Sequence, residues 1–277
     1  VNLRTLSAAD VERRLPPSAA VDALEAALRG GLDPEHDTPR SFVDLRRGEL
    51  LMMPSEVAGH VAVKVLTVGG DPRIQGVVLV FDAETLAPAA LIDGIALTNV
   101  RTSAVSALAV KHLARADAKR LLVFGRGPQS RAHVDAIRAI RPIEHVDVVG
   151  RDHGDIGALV AAADVICCCT TSPMPLFDGA LVADHATVVA IGSHDPDGRE
   201  TDDALAARAT VVVESRASAL REAGDVVAPL RSGALSEDRI ITLAELVTGA
   251  RRPAPGPRLF KSTGMSWEDA VVAGALT

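Results

Sequence analysis

Three stretches of the 277-residue chain carry residue types whose spacing could do chemistry. In the first, Arg120-Leu-Leu-Val-Phe124 runs straight into Gly125-Arg-Gly127-Pro128-Gln129-Ser130 and a helical sequence reaching about Ile140. A strand closed by Gly-x-Gly and opening a helix is half of a dinucleotide fingerprint. The glycines let the backbone approach a pyrophosphate, and the helix N-terminus supplies N–H donors and a partial positive charge. Pro128 suits the first helical position, where its missing N–H costs nothing. Ser130 stands where the third glycine would be, so the motif is incomplete. The next strand ends Val148-Val-Gly150-Arg151-Asp152, where the adenosine ribose of a dinucleotide is read. Either Arg151 takes a 2′-phosphate bidentately over the room left by Gly150, favouring NADP(H) over NAD(H), or Arg151 is solvated and Asp152 holds the ribose.

The second and third stretches carry lone cations. In Leu97-Thr98-Asn99-Val-Arg101-Thr102, Thr98 and Asn99 are placed to cap a helix whose first turn holds Arg101. An arginine there opposes the helix dipole unless an anion offsets both, so the segment predicts either an anion site or a guanidinium turned to solvent. Lys64 lies in the β-rich run Val61-Ala-Val-Lys-Val-Leu-Thr-Val68, with Ala62 and Leu66 on its own face. Desolvation on such a face lowers an ammonium pKa, making Lys64 a paired charge, a proton-transfer group or an edge-strand guard. Arg40, after Thr38-Pro39, is noted for its charge alone.

These residues need a frame. Residues 7–28 predict two short helices broken at Pro16-Pro17, and residues 42–53 a hairpin turning at Arg47-Gly-Glu. With strands at 61–68, 76–81 and 89–93, the first part is a mixed or antiparallel α+β unit. After a helix over 100–114, short unbroken apolar runs at 120–124, 145–149, 164–169, 187–191 and 210–213 alternate with helical sequence, describing a parallel sheet covered on both faces. Arg252-Pro-Ala-Pro-Gly-Pro257 reads as a linker to a closing helix from Ser266 that returns to the first domain.

Composition removes several functions. Aromatic residues make up 2% and the net charge is −7, so neither base stacking nor phosphate tracking fits, and nucleic acid is not an expected partner. No apolar run approaches a bilayer span and the first residues lack signal-peptide order, which predicts a cytoplasmic protein with no membrane partner. Three adjacent cysteines at 167–169 alternate faces in a strand, so no metal site is expected and reduced core thiols are. Only four of the 29 basic residues are lysines: Lys64, Lys111, Lys119 and Lys261.

Taken together, the chain resembles the ornithine cyclodeaminase/mu-crystallin family. The matching stretches are Thr38-Pro-Arg40, Met53-Pro54, Val63-Lys64-Val65, Val80-Phe-Asp82-Ala-Glu-Thr85, Leu97-Thr98 with Arg101-Thr102, Gly125-x-Gly127-x-Gln129, Ala163-Asp164, Ile191-Gly192-Ser193-His194 with Pro196 and Arg199-Glu200, Glu222-Ala-Gly-Asp225, and Phe260-Lys261-Ser-Thr-Gly264 with Glu268-Asp269. They follow the family's order over nearly the whole chain. The resemblance implies an α/β protein in which a Rossmann-type dinucleotide domain, 111–257, is inserted into a mixed α+β substrate and dimerisation domain formed by 1–110 and a C-terminal helix in 258–277. It also implies a homodimer and NAD(H) or NADP(H) as cofactor. By motif match Arg40, Lys64 and Arg101 fall on substrate-carboxylate positions. Arg101, Thr102, Gly125, Gly127, Pro128, Gln129, Gly150, Arg151, Asp152, Thr170, Thr171 and Gly192 form the cofactor set.

One departure bears on activity. Cyclodeaminases carry an aspartate two residues after the glycine of the Ile-Gly segment, and an ungapped count from Gly192 puts His194 there. The loop from Thr67 to Gln75 also looks short, and the family's usual threonine is missing near Arg73. The expectation is a reductase in which NAD(P)H reduces a small, cyclic 2-imino acid such as Δ1-pyrroline-2-carboxylate or Δ1-piperideine-2-carboxylate. His194 or Lys64 would keep the imine protonated, unless His194 is only a packing residue of its loop. The alternatives are an ornithine- or lysine-type cyclodeaminase with recycled NAD, and a non-catalytic binder of NADPH and a small ligand. Scarce aromatics predict a pocket of small aliphatics and arginines, suited to a small anionic imino or amino acid.

Overall fold

A computed structural model describes residues 3–57 and 59–277. The chain forms two compact units, one comprising the sequence up to Val105 with Met265–Thr277, the other Ser106–Gly264. No helix among the described residues is long and apolar enough to cross a membrane.

In the first unit the strands β1 (Arg4–Leu6), β2 (Ser41–Leu45), β3 (Gly48–Val57), β4 (His60–Val68), β5 (Ile74–Asp82) and β6 (Pro88–Asp93) make one sheet in the order β1-β6-β5-β4-β3-β2. Only the β1–β6 pair is parallel. Two helices precede β2, α1 (Ala8–Arg14) and α2 (Pro17–Arg29); α2 buries the stripe Ala20, Val21, Leu24 and Leu28. Strand alternation sends Leu51, Met53, Ala62, Lys64, Leu66, Val78, Val80 and Ile92 to a buried face. The opposite face is also apolar. Leu50, Met52, Val61, Val63, Val65, Leu79 and Leu91 are half-buried there, and Val43 and Val77 are exposed.

The helix α3 (Gly94–Leu113) starts earlier than the Thr98–Asn99 cap would allow. Asp93, at the end of β6, accepts from the backbone N of Ile95 (3.0 Å) and Ala96 (2.8 Å), while Thr98 Oγ1 donates back to the Gly94 carbonyl (2.6 Å). Arg101 therefore lies well inside the helix. A first-turn charge opposed to the dipole no longer argues for an anion there.

The second unit holds seven parallel strands, β7 (Arg120–Phe124), β8 (His145–Val149), β9 (Val165–Cys168), β10 (Thr187–Ala190), β11 (Thr210–Val213), β12 (Ile240–Thr242) and β13 (Arg258–Lys261), in the order β12-β11-β13-β10-β9-β7-β8. Apart from the end residues Arg120 and Arg258, six of them are buried, matching the unbroken apolar runs of the sequence, while the edge strand β8 is largely open, with Val148 exposed. Its helices are α4 (Pro128–Arg138), α5 (Gly157–Ala162), α6 (Asp203–Arg208), α7 (Arg216–Glu222), α8 (Gly224–Ser232) and α9 (Leu243–Thr248). The Pro-rich stretch ending at Pro257 leads into β13, which fills the gap between β10 and β11, so this unit closes at Gly264 rather than 257. With polar ends at Arg258 and Lys261 around a buried Leu259-Phe260 core, a strand this short shows no periodicity. The closing helix is α10 (Ser266–Gly274), in the first unit.

His133 of α4 is fully buried between the Gln129 carbonyl (Nδ1, 2.7 Å) and Ser106 Oγ (Nε2, 2.9 Å). A carbonyl only accepts, so Nδ1 carries the proton and Nε2 receives the serine hydroxyl. Burial pulls its pKa from 6.5 to about 4. The neutral ring is thus part of the fold, whereas the unfolded chain binds a proton below 6.5. Stability from this site is complete above pH 6.5 and is lost as pH falls toward 4, on the order of 3 kcal/mol. Urea unfolding between pH 7 and about 4.5 is expected to show a falling midpoint in the native chain and a flatter profile in His133→Asn; equal slopes would contradict it.

Candidate functional site

Two of the predicted cations meet in the first unit. Lys64 sits mid-strand in β4, opposite Met53 of β3 and Val78 of β5, so it guards no edge. Its ammonium lies 2.7 Å from Asp269 Oδ2, and Arg101 reaches Asp269 Oδ1 through Nε (3.1 Å) and Glu268 Oε2 through Nη1 (2.7 Å). All four side chains are buried, Lys64 to 1% exposure. The two acids balance the two cations in number. Lys64 and Arg101 are thereby spaced to hold one carboxylate from its two oxygens. Burial, reinforced by the neighbouring Arg101 charge, draws Lys64 down to about 8 against the pull of Asp269. Arg40 follows a segment pinned to the start of the same α10: Asp37 accepts from Trp267 N (3.0 Å) and Ser55 Oγ (2.8 Å), and the Thr38 carbonyl from Ser266 Oγ (3.3 Å). Burial raises the Asp37 pKa against those donors.

In the second unit the loops after β7, β8 and β9 open on one cavity of about 580 Å³, lined by Gly125, Arg126, Gly150, Arg151, Asp152, Thr170 and Thr171 among others. It lies at the carboxyl ends of parallel strands where the order turns from β7 to β9, the usual ligand position in such sheets. Gly125 has φ +107°, and a Cβ there would come 2.4 Å from the Cys169 carbonyl and 3.1 Å from Ser130 Oγ. A small residue at 130 is thus required by close packing, which Ser130 meets without a third glycine. Nothing lies within 4 Å of where a Cβ on Gly127 would be, and no side chain caps α4. A left-handed glycine, open space and an uncapped helix start are what a pyrophosphate needs, so these residues fit a dinucleotide. Pro128 and Gln129 form the first turn of α4. Asp152 is engaged by Arg126 Nη1 at 2.9 Å.

Thr170 does more than line the cavity. Its backbone N (2.9 Å) and Oγ1 (2.7 Å) donate to Glu200 Oε1, while Gly192 N donates to Oε2 (2.7 Å). Glu200 therefore ties together the loops after β9 and β10. Gly192 must be glycine, since a Cβ would fall 1.7 Å from the Thr170 carbonyl. Burial pushes Glu200 up to about 7 against Lys261 and its donors. Beneath it Asp225 Oδ1 accepts from Glu200 N (2.9 Å) and Thr201 N (2.8 Å), and Lys261 Nζ spans Asp225 Oδ2 (3.1 Å) and the Ser193 carbonyl (2.6 Å). The web fixes both residues flanking the backbone before His194, whose own side chain is exposed.

Arg101 and Thr102 lie on the part of α3 in the first unit and are not among the lining of this cavity. Chemical reasoning from residue types missed Glu268, Asp269, Glu200, Asp225, Arg126 and His133; the acids and Lys261 entered only through matching family segments. Cys167 and Cys168 are buried, unpaired thiols with pKa raised by burial, as a strand core requires.

A parallel sheet with a glycine turn cradle, coupled in sequence to an α+β unit with paired buried cations, defines an NAD(P)-dependent oxidoreductase of Rossmann type. The family profile described as ornithine cyclodeaminase/mu-crystallin matches residues 3–159 and 153–276, and the chain belongs to that family. It is 34% identical to a Δ1-pyrroline-2-carboxylate reductase of Bacillus cereus over 80% of this chain and 79% of that one. It is also 34% identical to the ketimine reductase mu-crystallin of Rattus norvegicus, covering 97% and 94%. The solved Δ1-pyrroline-2-carboxylate reductase of Thermococcus litoralis, in complex with NADH and L-proline, superposes with a TM-score of 0.91 at 26% identity, over 99% of this chain and 96% of that one.

Asp269→Asn leaves Lys64 and Arg101 buried with one full counter-charge, Glu268, between them. The expected loss is about 3 kcal/mol in denaturant unfolding, because an uncompensated charge stays in the core. A variant as stable as the parent would show that the quartet contributes no net stability.

Proposed function

We propose that this protein is an NAD(P)H-dependent reductase of a small, cyclic 2-imino acid, such as Δ1-pyrroline-2-carboxylate or Δ1-piperideine-2-carboxylate, with NADP(H) preferred over NAD(H). The observation that carries the proposal is the placing of Lys64 and Arg101 on the two oxygens of one carboxylate, Asp269. That arrangement suits a substrate carboxylate, and Arg40 is held near the same helix start through Asp37 and Thr38. The glycine cradle of the second unit supports dinucleotide binding, and the curated relatives named as reductases support the reaction class.

When bound, the reduced nicotinamide supplies a hydride to the imine carbon. The chain's own tasks are to bind the carboxylate through Arg40, Lys64 and Arg101, and to keep the imine nitrogen protonated. Lys64, with a pKa near 8, stays largely charged at neutral pH yet can exchange its proton. His194, on the loop pinned through Ser193 by Lys261, is the second proton carrier, a role histidine suits near neutrality. Gly125, Gly127, Pro128 and Gln129 would hold the pyrophosphate, with Gly150 and Arg151 at the adenosine end and Thr102, Thr170, Thr171 and Gly192 completing the set.

The second apolar face of the first unit's sheet supports a homodimer. Antiparallel sheets with one solvated face normally alternate to polar residues there, whereas this one presents Val43, Leu50, Val63, Val65, Val77 and Leu79. A second copy of the same chain covers it. The free thiols at 167–169 suit a reducing, cytoplasmic setting.

Light scattering on the purified chain is expected to give a dimer mass, and Val77→Glu a monomer; a monomeric parent would overturn the assembly. In steady-state assays NADPH is expected to be consumed with the cyclic imines. His194→Ala should lower kcat by about a hundredfold with unchanged NADPH affinity, and Arg40→Met should raise KM. Unchanged rates would remove His194 from the chemistry. Ammonia release from ornithine or lysine without net cofactor use would replace the reductase by a cyclodeaminase.

A further inference from the structure

Resting on the dinucleotide site and NADP(H) preference proposed above, we propose that Arg126, poised by Asp152, selects the 2′-phosphorylated dinucleotide, and that Asp152 stands in for the phosphate until it arrives. Arg126 is the residue between the two glycines of the β7–α4 turn, a position whose backbone serves the pyrophosphate and whose side chain the motif leaves unassigned. Its Nη1 lies 2.9 Å from Asp152 Oδ1 and 3.0 Å from Oδ2. The guanidinium lies across Gly150: a Cβ there would come 3.0 Å from Arg126 Cζ and 2.8 Å from Asp152 Oδ1. Strands β7 and β8 are adjacent, with Phe124 opposite Val149, so the turns that follow them deliver Arg126, Gly150, Arg151 and Asp152 to one cavity.

Both partners are well exposed, Arg126 at 55% and Asp152 at 70% of the side chain, and such pairs add little to stability. What the contact does is fix a cation where adenosine C2′ is read. The guanidinium holds the Asp152 carboxyl below its usual range, so the pair stays charged through neutral pH. A phosphate carries nearly twice the charge of a carboxylate and more acceptor oxygens, so it exchanges for Asp152 on Arg126, with Arg151 free to join from the same loop. A bare ribose offers no charge to displace Asp152 from Arg126, so the exchange separates the two dinucleotides. Asp152 therefore serves as the competitor of the phosphate rather than as a ribose ligand.

Calorimetric titration of the full chain with NADPH, NADH, adenosine 2′,5′-bisphosphate and 5′-AMP tests the assignment. Arg126→Ala is expected to weaken NADPH and the bisphosphate about tenfold or more, and NADH and 5′-AMP by less than about twofold. Arg126→Lys should recover part of the loss, and Asp152→Asn should tighten the 2′-phosphorylated ligands alone. Equal weakening of both ligand classes by Arg126→Ala, or weaker NADH binding in Asp152→Asn, would overturn it. The parent's preference tests the NADP(H) proposal separately. A parent that prefers NADH, shifted toward NADPH by Asp152→Asn, would sink that proposal and keep the role of the Arg126–Asp152 pair. A parent that prefers NADPH with no selective loss in Arg126→Ala would do the reverse.

Discussion

Asp269 holds two cations with one carboxylate, and the first unit is organised around that bond. An ammonium at 1% exposure is tolerable only beside a counter-charge, and the counter-charges for Lys64 and Arg101 come from the far end of the chain. Residue 269 is 168 positions from Arg101, so α10 must seat on the N-terminal sheet before either cation is satisfied. The same helix start gives Trp267 N to Asp37 and Ser266 Oγ to Thr38, which sets the segment leading to Arg40. One closing helix thus fixes Lys64 and Arg101 through charge and the segment before Arg40 through hydrogen bonds.

The second unit solves a different problem, the close approach of backbones at the ends of parallel strands. Gly125 passes Cys169 and Gly192 passes Thr170 at distances no Cβ permits. Glu200 then uses both carboxylate oxygens to lock the Thr170 and Gly192 backbones, and Asp225 with Lys261 supports it from below. The loops that would meet the cofactor are held by buried charge, whereas the proposed adenosine end carries exposed charge at Arg126, Arg151 and Asp152. Rigid support at one end and electrostatic choice at the other suit a site that must position one part of its ligand and discriminate at another.

Much of this was legible in the sequence. The strand-glycine-helix order at 120–138 announced the cradle, and the apolar runs announced the parallel sheet, because both depend on local pattern. Lys64 is legible as an ammonium on an apolar strand face, and the structure buries it there as a paired charge. Arg101 drew attention through a helix start that Asp93 in fact moves back to Gly94. The short strands β1 and β13 were hidden because three or four residues carry no periodicity, and β13 moved the end of the second unit to Gly264. The partners Asp269, Glu200 and Asp225 stand in segments that match the family, but nothing in their own spacing points to their roles. Each is an ordinary acid until the fold brings its cation or backbone donors alongside, which no spacing in the chain encodes.

Hydride transfer onto the carbon beside a substrate carboxylate is the step on which the proposed reduction turns. It is tested most directly by turnover of Δ1-pyrroline-2-carboxylate with NADPH deuterated at the transferring C4 position, followed by mass spectrometry and NMR of the product. Transfer to the carbon beside the carboxylate gives proline carrying deuterium on its α-carbon. Proline without the label, or no proline while ornithine is deaminated, would contradict it.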